Sequence, residues 1–583
     1  MMNILILIPF LITIPISAIN RKLGYIAEAI SSVIFLTYSI FNSNQITTPF
    51  IIISSIVWLL TSVFSIEYDK YGKWLSPLYA TTILGMVIIL QSTNYIEFLA
   101  GWEIMTIPAY IAIGLVRKEP RPAFIFMAFG ELSTALLLAA FVIASIEGIT
   151  YTYLSSPLPL ILATFGFMIK MGITPFMISE WLPIAHGTAP SNLSSILSAT
   201  MTLMGVYGIV RMTYLTLNIP LPFSLLIIGI GAFSVFFGAL YAYVNESIKG
   251  ILAFSTIENN GAILTAIGIY MFSKQMGFQS IETISLYTII IYAFAHSIAK
   301  AGLFLSSGLQ ESQSISFTEK IRDKAYTLGL ILLTSSMAGL LPNLGGIASW
   351  LLLENLFMTS FALHSLLSSI FIVAGFIIAM GEGFATALLV RYISYLSLFR
   401  NNINRIKNIL SIPILLSGII IITLGITLPY FIYPYKTSIP QYGMLFNSVI
   451  ITQYDNNVFG GISPLYVFIL IAAFSTITYI TFGKPKIRKS KIWNNGVNDQ
   501  EEYTAFAISN NIRLMLRKLL KPEGEIYIPS YGLDVFWEYM YKIAKSLRTF
   551  GRKFGRTLIN SSILWYITYI IIILIITLLI IIS

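Results

Sequence analysis

Apolar residues run along this chain in stretches of about 20, the length a helix needs to cross a hydrocarbon core, separated by short polar joints. The pattern predicts helices over residues 3–19, 25–42, 49–66, 77–96, 97–116, 122–146, 157–183, 190–214, 221–245, 249–272, 283–308, 326–342, 345–362, 365–390, 410–435, 462–482 and 560–582. Leu341-Pro342-Asn343-Leu344-Gly345-Gly346 joins two of these with almost no polar loop, so 326–362 reads best as one discontinuous helix, which leaves sixteen spans. Residues 1–19 lack a charged leader and a small-residue cleavage site, and read as the first span.

Charge supports this division. With the N-terminus outside, the odd-numbered joints hold 30 of the 35 Lys and Arg, fifteen of them before residue 410 and fifteen between 484 and 556. The even-numbered joints hold Arg211, Lys274 and Lys436, and the last two basic residues, Lys170 and Lys300, lie inside spans. That asymmetry is what positive-inside orientation predicts, with the short joints carrying more weight than the long tail. Splitting 326–362 into two spans would put Arg391 to Lys407 outside, so the charge also favours the discontinuous helix.

Composition agrees with the class. The chain is 56% hydrophobic and 10% charged, with a mean hydropathy of +0.82, as expected of a polytopic membrane protein. It has no cysteine and three histidines, His186, His296 and His364. Disulfides and iron–sulfur ligation by this chain are excluded, and no cofactor fingerprint appears. The net charge of +10 reads as positive-inside joints, not as nucleic-acid binding.

The candidate chemistry is the charge buried in the spans. Lys170 and Lys300 are far from any polar flank, and Glu103, Glu131, Glu258, Glu354 and Glu382 also stand among apolar residues. A charge at mid-membrane costs about 2.5–3.5 kcal/mol. Seven facing lipid would cost about 20 kcal/mol, more than the usual net stability of a domain. They must pair with each other or line a wet path, the default mark of ion or proton transfer. Glu131, Glu258 and Glu382 fit either a relay or hydrogen-bonded contacts between helices. His186 lies near a span end and reads as structural.

Two breaks adjoin these residues. Lys170 is followed by Gly172 and Pro175, and Pro342 to Gly346 is followed by Glu354. Each break by itself is also compatible with an ordinary kink. Backbone freed by proline at membrane depth must line a cavity or be buried in protein. Paired interrupted segments are the sequence mark of inverted repeats around a central site. The expected fold is all-α and polytopic, with two inverted five-helix repeats, each containing a discontinuous helix. The expected regions are N-terminal helices (1–76), first repeat (77–214), second repeat (221–390), C-terminal helices (391–482), a cytoplasmic segment (483–559) and a final span (560–582). Within the polar segment, 534–559 alternates aromatic and basic residues, as in a surface-lying amphipathic helix or a docking strip for a neighbouring subunit.

FGFMIKMGITPF, followed by WLPIAHGTAPSNLSSILSATMTLMGVYGIVRM (181–212), resembles the antiporter-like subunits of proton-pumping NADH dehydrogenase, Mrp antiporters and group 4 membrane-bound hydrogenases. GWEIMTIPAY (101–110), AHSIAKAGLFLSSG (295–308) and LLPNLGGIASWLLLENLF (340–357) are similar to three further motifs of that superfamily. IKGILAFSTIENNG (248–261) resembles the hydrogenase and formate hydrogenlyase branch. The resemblance implies a mid-membrane relay in which Glu103 pairs with Lys170, and Lys300 with His296 continues the path. It also implies membrane partners and a peripheral redox arm, in a prokaryotic plasma membrane. The chain departs from the family at three places. Leu203 stands where a lysine is usual. Trp350 stands where Glu or Lys is usual, with Glu354 one turn on. PFMISEWLP (175–183) is two residues longer than usual and lacks a histidine, offering Glu180 instead.

Low dielectric disfavours a charged lysine and a nearby carboxylate favours it, so Lys170 beside Glu103 makes a proton switch that needs no cofactor. His296 and Lys300 are four residues apart and share a helix face. The expectation is an ion-translocating subunit, moving protons, of a redox-driven complex. The alternatives are an Mrp-type sodium/proton antiporter subunit and a structural anchor whose path Leu203 interrupts.

Overall fold

The computed structural model describes residues 4–41, 44, 46–68, 71–116, 120–173, 181–315, 318, 320–363, 365–398, 403–404, 406–432, 448–454, 457–483, 505–520, 522–523, 530–531 and eight positions between 542 and 553. Glu180, His364, the final apolar run at 560–582 and most of 483–559 lie outside them.

The architecture is all-helical apart from short strand pairs. Helices α1 (Ile4–Ile19), α2 (Arg21–Phe41) and α3 (Thr47–Glu67) precede α4 (Leu75–Gln91), α5 (Tyr95–Val116) and α6 (Arg121–Ser145). Then come α7 (Leu158–Met171), α8 (Trp181–Thr188) and α9 (Ser191–Ile196). One π-helical turn, Leu197–Met201, leads from α9 into α10 (Thr202–Leu215). The long helices α11 (Leu221–Val244), α12 (Ile248–Met276) and α13 (Gln279–Ser307) follow. They are succeeded by α14 (Lys324–Met337), α15 (Leu344–Ala362), α16 (Ser368–Ile393), α17 (Asn408–Ile432) and α18 (Pro464–Phe482). Each of the first sixteen predicted apolar runs contains one of these helices. Among the described residues, ten helices are long and apolar enough to cross a membrane, and three more are apolar but shorter.

The chain divides into two units, Met1–Ser509 and Asn510–Ser583. In the second, the described residues include the end of α19 (Ala505–Met515), the short α20 (Arg517–Leu520) and a two-residue strand pair. All the candidate site residues that are described belong to the first unit.

The segment α9–π–α10 is buried throughout residues 191–210, and the second half of α13, residues 291–307, packed beside it is nearly so. Small residues set the close approaches. A Cβ on Gly85 of α4 would come within 2.2 Å of the Met105 backbone nitrogen on α5, and one on Gly238 of α11 within 2.5 Å of Glu258 N on α12. Polar side chains finish the helix ends. Asn94 Oδ1 accepts the Glu97 N–H at 2.8 Å and the Glu97 carboxylate accepts the Thr93 N–H at 2.7 Å, a reciprocal cap that starts α5. Lys274 Nζ donates to the carbonyls of Thr213, Tyr214 and Thr216 at 2.8, 2.9 and 3.0 Å, closing the end of α10. Buried Arg391 binds the Glu246 carboxylate and donates to the Asn245 carbonyl at 3.0 Å, tying α16 to the α11–α12 joint.

Both expected breaks carry a left-handed glycine. Gly172 (φ 69°) closes α7 and Gly339 (φ 66°) follows α14, a conformation that costs other L-residues about 1–2 kcal/mol. At the second break, Asn343 Nδ2 donates to Ser335 Oγ at 2.8 Å and the Gly345 N–H to Ser336 Oγ at 3.1 Å. The ends of α14 and α15 are held together there.

Replacing Gly85 with alanine pushes a methyl group onto rigid α5 backbone, and overpacking of this kind costs about 1–3 kcal/mol. The variant is expected to unfold at a lower temperature in detergent; an unchanged midpoint would show that α4 can retreat freely.

Candidate functional site

The first cluster is built where α5, α6 and α7 meet. Lys170 stands in the last turn of α7 and is 2% exposed. Its Nζ donates to Thr106 Oγ1 of α5 at 2.7 Å and lies 5.4 and 5.3 Å from the ring centres of Trp102 and Phe126. Gly130 of α6 faces it, since a Cβ there would sit 3.8 Å from Nζ. Glu103, one turn before Thr106, accepts from Thr134 Oγ1 of α6 at 2.5 Å. Glu103 and Glu131 are both within electrostatic reach of Lys170. The lysine and Glu103 each bind a different threonine, and no ion pair joins the two. Glu131 is exposed on the outer face of α6, beside exposed Leu132.

At the break after Lys170 the freed carbonyls are taken up by neighbours. Trp181 Nε1 of α8 donates to Ile169 O and Asn260 Nδ2 of α12 to Met171 O, both at 2.8 Å. The Ile173 N–H reaches Met168 O at 3.2 Å.

The π-turn forms the centre of the site. It releases carbonyls that an α-helix would bind internally, and α13 supplies donors. Ser297 Oγ donates to Ala199 O at 2.7 Å and His296 Nε2 lies 3.4 Å from Ser198 O. Ser198 Oγ shares a 2.7 Å bond with Thr256 of α12. Leu203, at the expected lysine position, is 2% exposed.

The second cluster surrounds Lys300, which is fully buried. Its Nζ donates to Ser255 Oγ and, at 3.1 Å, to Leu252 O, both on α12. Glu258, one turn beyond Ser255, is 3% exposed and within electrostatic reach of Lys300 and of Glu382 on α16. Glu382 Oε1 accepts from Ser349 Oγ of α15 at 2.9 Å and from Tyr292 OH of α13 at 3.1 Å. A Cβ on Gly339 would lie 3.3 Å from Glu382 Oε2, so the second break adjoins this carboxylate.

The structure thus gathers Glu103, Glu131 and Lys170 in one cluster and Lys300, Glu258 and Glu382 in another, with His296 between. It does not bring Glu354 to either. Glu354 lies under an antiparallel hairpin (Ile450–Tyr454 with Asn457–Ile462), accepting from Thr452 Oγ1 at 3.4 Å. A Cβ on Gly460 would approach both Trp350 and Glu354. The two share a face, as their spacing requires, but it is Ser349 that faces Glu382.

Sequence reasoning passed over three polar positions of α12. Ser255, Thr256 and Asn260 touch Lys300, the π-turn and the first break, respectively. Their signal is the run Ser255-Thr256-Ile257-Glu258-Asn259-Asn260 inside an otherwise apolar helix. His186, read as structural, is fully buried; neither ring nitrogen has a hydrogen-bond partner. It stacks on Phe304 with ring centres 4.8 Å apart and lies within electrostatic reach of Lys249 and Lys300.

Buried lysines and carboxylates, joined through hydroxyls and helix breaks inside a polytopic helical bundle, define a membrane protein with a candidate ion path. Residues 92–377, just under half of the chain, match the family described as NADH:quinone oxidoreductase/Mrp antiporter, transmembrane. Hydrogenase-4 component B of Escherichia coli (strain K12) is 27% identical over 286 residues, which cover 46% of this chain and 42% of that one. Formate hydrogenlyase subunit 3 of the same strain is 25% identical over 339 residues, covering 52% and 53%. The chain therefore spans about half the length of these curated relatives. A chain in the structure of the membrane-bound sulfane sulfur reductase, an archaeal respiratory membrane complex, superposes with a TM-score of 0.75. It is 17% identical, and the match covers 98% of this chain and 99% of that one, which establishes a shared fold.

Replacing Trp181 with phenylalanine keeps the ring and removes the donor to Ile169 O. Ile169 O keeps the Gly172 N–H at 3.1 Å, so the loss is that of one hydrogen bond, about 0.5–1.5 kcal/mol, and a slightly lower thermal midpoint is expected. An unchanged midpoint would mean that the break does not depend on this cap.

Proposed function

We propose that this chain is the proton-translocating membrane subunit of a redox-driven complex related to NADH dehydrogenase and membrane-bound hydrogenase. One observation carries the reading. Two buried lysines, each within electrostatic reach of a carboxylate, flank a π-turn whose freed carbonyls meet His296 and Ser297. Side chains of a single helix, α12, touch the first break, the π-turn and Lys300.

In this mechanism the resting Lys170 holds its proton against Thr106, with Glu103 and Glu131 balancing its charge. Weakening that balance, by movement or protonation of a carboxylate, frees the proton to leave Nζ. It then passes by way of the α12 polar face and the π-turn to the His296–Lys300 turn, and on to Glu258 and Glu382. Redox chemistry belongs to other subunits. Glu131 supports such partners: a carboxylate does not face lipid without cost, and a neighbouring subunit on α6 would cover it. On this reading the membrane is a prokaryotic plasma membrane, residues 483–559 are cytoplasmic, and 77–214 and 221–390 are the two antiporter-like repeats.

Buried, apolar Leu203 favours a second reading, an anchoring subunit with an interrupted path. The parent complex in proteoliposomes separates them. Lys170→Ala is expected to leave assembly intact and to slow redox-driven proton translocation by about a hundredfold, the usual scale for loss of a positioned proton-transfer group. Acidification at the wild-type rate would refute the relay. Translocation that requires sodium and persists without electron flow would instead assign an antiporter.

A further inference from the structure

Outside the family-matched residues, the four N-terminal helices hold a carboxylic acid that the relay does not use. Glu28 of α2 is 1% exposed, and neither of its carboxyl oxygens has a hydrogen-bond partner. Thr13 of α1 stands beside it, with its own hydroxyl committed to Phe10 O at 2.6 Å. No cationic side chain is paired with it among the described residues. A buried polar group left without a partner calls for an explanation, and a chemical role is one of the few available.

Hydroxyls and an amide lead away from it. Tyr79 of α4, the titratable group facing Glu28 from across the bundle, shares its OH with Thr61 and Ser62 of α3 at 2.6 and 3.3 Å. Tyr25, on the same face of α2 as Glu28, meets Tyr79 edge to face with ring centres 5.4 Å apart. Asn192 of α9 donates to Tyr25 OH at 3.5 Å and to Ser65 Oγ of α3 at 3.0 Å. From α9 the contacts reach α13: Ser191 meets Ser307 at 3.4 Å and Ser195 donates to Ala301 O at 3.1 Å. The same helix continues into the π-turn, where Ser198 O receives His296.

We propose that Glu28 is a proton-binding site at the head of a side branch that feeds the central relay through Tyr79, Tyr25 and Asn192. This rests on the relay reading above. Glu28 lies about 9 Å along α2 from Lys22 at 1.5 Å per residue, and Lys22 pairs with Glu67 at 2.6 Å at an exposed edge. Loading forms an O–H bond on a carboxylate oxygen with a proton from hydronium at that edge, releasing water. Unloading breaks that bond and hands the proton to water held among the Tyr79, Tyr25 and Ser65 hydroxyls, each accepting one proton and releasing its own while the Asn192 amide N–H groups orient Tyr25 and Ser65, so that no other reactant is consumed.

The test uses the assembled complex in proteoliposomes. Glu28→Gln keeps the shape and removes the proton-binding site, and should lower redox-driven acidification roughly tenfold or more; Glu28→Asp should retain more activity than Gln. Wild-type acidification in E28Q overturns the branch. If K170A loses acidification while E28Q does not, only the branch fails; if K170A also acidifies normally, the relay itself fails. Should E28Q not assemble, the native complex is treated with dicyclohexylcarbodiimide, an apolar reagent for buried protonated carboxyls, and mapped by mass spectrometry. An adduct on Glu28 supports the proposal, and an unlabelled Glu28 overturns it.

Discussion

In hydrocarbon, backbone and charge must both be satisfied by the protein itself, and this constraint shapes the whole molecule. Near the candidate site the chain twice stops a helix and, at Leu197–Met201, loosens one into a π-turn. At each place a neighbouring side chain takes up the freed groups. Trp181 and Asn260 serve the first break, Ser297 and His296 the π-turn, and Ser335, Ser336 and Asn343 the second. These polar groups sit beside the ionisable ones. The features that make the breaks tolerable are therefore the same features that line the proposed proton path.

Helix α12 is the joint of this arrangement. One side packs on α11 through close glycine approaches, which fixes its depth and rotation. The other presents Ser255, Thr256, Glu258 and Asn260 to four different surroundings. The second lysine cluster thus depends on small residues, since Gly238 sets the approach of α11 to the backbone of Glu258. Loss of the Ser255 hydroxyl would disturb Lys300 and loss of the Thr256 hydroxyl the π-turn, two parts of the site served by adjacent residues of one helix.

Most of the fold was legible because a span is a long, simple signal. The apolar runs, the two breaks and the positions of Lys170 and Lys300 all followed from it. Boundaries were less legible: the reading placed the α4–α5 joint at residue 96, while the reciprocal cap of Asn94 and Glu97 ends α4 at Gln91. The π-turn was hidden because Leu197-Ser198-Ala199-Thr200-Met201 reads as an ordinary small-residue helix; only the donors on α13 reveal it. Glu354 was read one turn from the relay, on the face of Trp350. That face is covered by the hairpin around Gly460, a contact between residues about a hundred positions apart that no local spacing encodes. Glu28 stood inside the predicted span 25–42 and was not singled out; its burial depends on the packing of α1 to α4, which no local spacing encodes.

The central claim is that the two lysine clusters are connected across the π-turn despite Leu203. The most direct measurement is high-resolution density of the parent complex in lipid, searched for ordered water between Lys170 and Lys300. The account predicts a hydrogen-bonded file of water running past Leu203 along Thr256 and Ser198 to His296. A dry, close-packed gap at that place would contradict it.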